Sequence, residues 1–153
     1  MTYTKEDCIR DTQEHIVKVM VNMFKVSSKL DKRALNHDKS KLEQPELDIF
    51  VEYTPKLKQS TYGSEEYKEN LKGMKVALDH HYKVNSHHPE HYDNGVNGMC
   101  LLDIVEMLCD WKAATERHVD GDIRKSLEMN RERFNISDQL HEILLNTVNR
   151  MGW

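Results

Sequence analysis

Proline and glycine are scarce in this chain, three and six among 153 residues. With so few helix breakers, and with Met, Leu, Glu and Lys frequent, the composition favours helix over sheet. Cysteine is also scarce: Cys8, Cys100 and Cys109 form no CxxC pair and are odd in number, which argues against both a disulfide framework and a thiolate zinc site. They read as small buried hydrophobes. No apolar run approaches the roughly 18 residues of a membrane span, and the N-terminal "MTYTKEDCIRD" lacks the basic and apolar regions of a signal peptide. The expected location is therefore the cytoplasm. An excess of positive charge is missing as well. With 22 basic against 26 acidic residues and a formal net charge of -4, the chain offers no global field for phosphate backbones, and a nucleic-acid polymer is not the expected partner. "NIS" at 135–137 matches a glycosylation sequon, but without a secretory signal it reads as chance.

At 153 residues the chain is long enough for one domain with a real core, since a domain of about 150 residues buries roughly 70% of its unfolded surface. The expectation is a single all-α domain over residues 1–153, a compact bundle of six to seven helices. Ile9, Ile16, Val19, Met20, Met23, Phe24 and Leu30 recur with the period of an amphipathic helix from Thr4 to about Leu30. A second helix is expected from Asp31 to about Glu43, containing "NHDKSKL", and a short third from Pro45 to Phe50, ended by the Pro, Gly and Ser of "TPKLKQSTYGS". The pattern resumes from Ser64 to about Val84 and stops before "HHP". After the loop "PEHYDNGVNG", helices are expected at about 99–119, 122–134 and 138–150, the last capped by Ser137. The C-terminal helix can close the core or make a dimer, so the chain reads as a monomer or homodimer.

What the chain does have is histidine. Five of its nine lie in "HHYKVNSHHPEHY", residues 80–92. His81 falls on the apolar stripe of its helix, and His87 and His88 follow in the turn beyond. His15 lies one turn from Val19 on the edge of the first stripe, where its side chain can point inward. His37 and Asp38 are adjacent and can both reach one divalent ion, the carboxylate free to bridge to a second. Asp103, Glu106 and Asp110 share one face of the most apolar helix. A solvated face would explain Asp103. Asp110, between "EMLC" and "WKAA", is an acid in apolar company that needs a cation. Together these residues suggest ligands delivered from separate helices to a site between them. His80 reads as exposed or as supporting a ligand from behind, and His91 as surface or substrate-facing. His118 and His141 read as structural.

The order His15, His37-Asp38, His81, His87-His88, Asp110 resembles the HD-domain superfamily of metal-dependent phosphohydrolases. "HDxxK" followed by a vicinal "HH" is similar to the subgroup that hydrolyses cyclic dinucleotides, although "HHPEHY" stands where that subgroup has "GYP". "EHI", "HDKSKL", "HHYKVNSHH" and "EMLCDW", spread over residues 14–117, resemble a small family found in bacteriophages and bacteria, which brings no substrate with it. The HD resemblance implies a bundle of the HD-domain type. It implies a first metal on His15, His37, Asp38 and Asp110, and a second on Asp38, His81 and His87 or His88. One or two divalent transition ions are expected, Mn, Fe, Zn, Co or Ni. Asp38, Lys41 and Glu106 are then the expected catalytic residues, and Lys41, Asn85 and Arg117 the expected substrate contacts. Lys41, Glu106 and Arg117 are each as readily salt-bridge partners. The implied activity is hydrolysis of a nucleotide or other small phosphoester in the cytoplasm, or the host's cytoplasm for a phage protein. The alternatives are a metal-bearing helical sensor or binding module without turnover, and a diiron oxygenase of the HD type.

Overall fold

The computed structural model describes residues 2–60, 64–117 and 119–153; His118 lies outside them. Among the described residues the chain is all helical, with seven α-helices, three short 3-10 turns and no strand. Its contacts divide it into two compact units, one ending at Asn36 and one comprising His37–Trp153. No helix among the described residues is long and apolar enough to cross a membrane.

The first unit is built on α1, Lys5–Asn36. It runs past the expected end near Leu30, because nothing in "DKRAL" breaks a helix and the chain departs from helical geometry only at His37-Asp38. No residue of α1 is buried, and its apolar side chains, Ile16, Met23 and Phe24 among them, stand exposed.

Asp38 takes the left-handed conformation (φ 55°, ψ 17°), which aspartate tolerates better than most residues. The His-Asp pair therefore sits in a sharp turn, not inside a second helix. A 3-10 turn over Lys39–Leu42 follows. Next comes α2, Glu46–Gln59, which continues through Pro55 well beyond the expected stop at Phe50. The single helix expected from Ser64 to Val84 is two: α3, Glu65–Gly73, capped by Ser64, and α4, Lys75–Val84. α2 packs against both. A Cβ on Gly73 would overlap the ring of Tyr53 as it stands, so α3 approaches α2 closely at that point.

The loop from Asn85 to Cys100 is shaped by 3-10 turns at Pro89–His91 and Gly95–Gly98. It leads into α5, Leu101–Thr115, then α6, Ile123–Phe134, and α7, Asp138–Met151. Leu108, Ile123, Leu127, Ile136, Leu144 and Val148 form the buried apolar cluster, with Trp111 stacked on Phe134 at its margin, ring centroids 6.1 Å apart. α7 thus closes the core of this unit. His141 is buried there, its Nε2 3.1 Å from Glu128 Oε1. The cysteines depart from expectation. All three are exposed, since Cys8 lies on an uncovered helix and Cys100 and Cys109 fall on the outward side of α5 and its start.

Candidate metal centre

Three segments meet in the second unit: the turn at residues 37–38, the end of α4 with its following loop, and the middle of α5. They bring ligand atoms of Asp38, His81, His87 and His88 into one group, and those of His37, His87 and Asp110 into another. Asp38 Oδ1 lies 3.4 Å from His81 Nε2 and 3.5 Å from His87 Nε2. His81 Nε2 faces His88 Nε2 at 2.8 Å. Asp38 Oδ2 turns the other way, 3.5 Å from His37 Nε2, which is 3.6 Å from Asp110 Oδ1.

The imidazoles are held from behind by carboxylates. Glu106 Oε1 accepts from His37 Nδ1 at 2.8 Å and lies 3.2 Å from His87 Nδ1. Glu46 is fully buried, and its two oxygens meet His80 Nδ1 at 2.7 Å and His81 Nδ1 at 2.9 Å. A carboxylate only accepts, so these bonds place the ring protons on Nδ1 and direct the Nε2 lone pairs of His81 and His87 toward Asp38. Ser40 and Asn85 complete the setting: the Asn85 amide donates to Ser40 Oγ (2.8 Å) and to the His81 carbonyl (2.9 Å).

Within this cluster two buried atoms of the described residues then have no hydrogen-bond partner, Asp38 Oδ1 and His87 Nε2, and they face each other. Both are acceptors. Such a pair repels unless a cation lies between them, and an unpaired buried acceptor costs about 1–3 kcal/mol. With His81 and His88 converging on the same point, the donor set fits a transition-metal ion.

The electrostatics agree with that fit. Burial pushes His81 and His87 below the ordinary imidazole range, and burial together with His87 and His81 pushes His88 down to about 3. All three are neutral at pH 7, the form in which imidazole binds metal. Burial opposes ionisation of Asp38 and Asp110, but Lys41 for the first and His37 for the second outweigh it and hold both carboxyls below their usual range. Asp110, opposed by burial and helped by Glu106 and Asp38, raises His37 to about 9. A cation taking its Nε2 would displace that proton.

Of the residues expected from the sequence, the structure brings together His37, Asp38, His81, His87, His88, Asp110, Glu106, Lys41 and Asn85. Lys41 Nζ lies 2.6 Å from Asp38 Oδ2, and Asn85 is engaged with His81 and Ser40. His15 belongs to the first unit, where it is exposed on α1 in a surface groove with Ile16, Val19, Met20, Met23 and Phe24. Arg117 does not share a helix face with Asp110, because α5 ends at Thr115 and Arg117 is exposed in the turn beyond. His91 donates from Nδ1 to the Tyr82 carbonyl (2.9 Å), a structural bond. Asp103 is not on a solvated face. It is buried and accepts from Ser86 Oγ (2.7 Å), Tyr92 Oη (2.9 Å) and Cys100 N–H (2.8 Å), pinning the loop to the start of α5. Glu46 is the participant that sequence reasoning missed. An acid in the first turn of a helix is expected from the helix dipole alone, and only its position opposite His80-His81 distinguishes it.

The arrangement is an imidazole-rich cluster of candidate metal ligands, with His87 common to its two groups. Residues 4–150 match the model described as "Family of unknown function (DUF5662)", and the chain belongs to that family. Comparison with curated proteins and with solved structures gave no match.

Proposed function

We propose that the protein is a metal-dependent phosphohydrolase acting on a nucleotide or another small phosphoester, with Asp38, His81, His87 and His88 as the principal ligands. The observation that carries this reading is the pair of buried, partnerless acceptors, Asp38 Oδ1 and His87 Nε2, facing each other 3.5 Å apart amid two further histidines. The chemistry a divalent ion supplies in such a set is acidification of water toward neutral pH and neutralisation of charge developing on phosphoryl oxygens. The imidazole-rich ligands favour Mn, Fe, Zn, Co or Ni over magnesium or calcium. Glu106 and Glu46 fix the orientation and tautomer of His37, His81 and His87. Lys41 is partly exposed beside Asp38, within reach of a phosphate brought to the centre. The HD resemblance supports the same reaction class.

The test is metal analysis of the purified chain, followed by phosphate release from nucleoside mono- and triphosphates and cyclic dinucleotides with manganese added. Stoichiometric metal and turnover of at least one phosphoester are expected, and Asp38→Ala should lose both. Bound metal with no hydrolysis across the panel would overturn the enzyme in favour of a binding module. Oxygen consumption with a polyol would replace it with an oxygenase. A chain that binds no metal would remove the reading entirely.

A further inference from the structure

The two ligand groups are not independent, because both include His87. One of its ring nitrogens, Nδ1, lies 3.2 Å from Glu106, and the other, Nε2, faces Asp38 Oδ1. It therefore has one lone pair to give, and to one ion only. Once His87 serves the group with His81 and His88, the other keeps only His37 and Asp110, with the second oxygen of Asp38 3.5 Å from His37 Nε2. That oxygen is already occupied: the Lys41 ammonium lies 2.6 Å from Asp38 Oδ2. Four carboxylates surround the centre, Asp38, Glu46, Glu106 and Asp110, and the lysine supplies positive charge there without a second ion. Its side chain is 38% exposed, against 2% for His81 and His87, so it borders solvent while the histidines are sealed.

We propose that the centre takes a single metal ion, on Asp38 Oδ1, His81, His87 and His88, and that Lys41 is a built-in substitute for a second metal, holding the outer oxygen of Asp38 and presenting its remaining N–H groups to a phosphoryl oxygen. This rests on the metal reading above and deepens it. A one-ion centre with a flanking ammonium grips a phosphate from two sides, by the metal and by Lys41. Without the lysine, His37, Asp38 and Asp110 form a three-ligand set open to a second ion.

The experiment is manganese loading of the full-length protein, read by equilibrium dialysis and by electron paramagnetic resonance. Wild type is expected to bind one ion per chain and to give the six-line spectrum of isolated manganese. Lys41→Met is expected to gain a second, weaker ion and an exchange-coupled spectrum, and Lys41→Arg to remain at one. The single ion should survive Asp110→Asn and be lost in His88→Ala. Two ions in wild type, or one in both wild type and Lys41→Met, would overturn the inference while leaving a metal enzyme in place. No ion in wild type would instead end the metal reading on which it rests. Should Lys41→Met not fold, the wild-type spectrum decides, because a coupled pair cannot produce an isolated six-line signal.

Discussion

Glu46 has no exposed surface, and both its oxygens are used by histidine N–H groups. Glu46→Gln leaves one oxygen to serve two donors and sets an NH2 group against an imidazole. Metal affinity should fall about 10–100-fold, the usual cost of removing a carboxylate behind a histidine ligand, with helical content unchanged in circular dichroism; competition with a chromogenic chelator measures it. Asp103 carries a pH signature. Burial opposes its ionisation, but the hydrogen bonds from Cys100, Ser86 and Tyr92 prevail and hold its carboxyl below the usual range. A carboxyl depressed on folding stabilises the fold above its unfolded pKa and loses that contribution as pH falls through its folded pKa. Asp103→Asn should therefore lower the melting temperature at neutral pH and flatten its decline below about pH 4, as thermal melts across that range will show. His37, Asp38, His81, His87 and His88 were legible in the sequence as a group because their types and spacing are rare together. Glu46 and Ser40 were not, since acids and serines near helix starts are commonplace and their partners lie about 35 and 41 residues away.

At the level of elements, the capped helices were the easiest to read. Ser137 accepts from the Leu140 N–H at 3.3 Å and starts α7 where the sequence places it. Ser137→Ala should cost about 1 kcal/mol, seen as a lowered urea midpoint with an unchanged slope. Boundaries set by tertiary packing were harder. Pro55 marks a stop by local rules, with an interior proline costing about 3 kcal/mol, yet α2 runs through it while packing on α3 and α4. The turn at His37-Asp38 was hidden for the opposite reason. Its residues suit a helix tolerably well, and the left-handed backbone of Asp38 leaves no mark in the periodicity. The helical pattern of residues 64–84 likewise conceals the break at Met74, where no proline or capping serine announces it.

At the scale of the molecule, the all-α class follows from composition and periodicity, and the seven α-helices among the described residues agree with it. In the second unit, α5 belongs to core and centre together. Leu108 enters the apolar cluster while Glu106 and Asp110, two residues to either side, turn to the histidines. Leu108→Ala should cost about 2–5 kcal/mol of stability, but the loss need not stop there. One rigid rod uses hydrocarbon packing as its reference frame and carries carboxylates as fixed instruments on the far side. Loosen the mounting and the aim degrades. The cage would accept ions of a wider range of radii, and the ratio of zinc to manganese affinity in the Leu108→Ala chain should move toward parity.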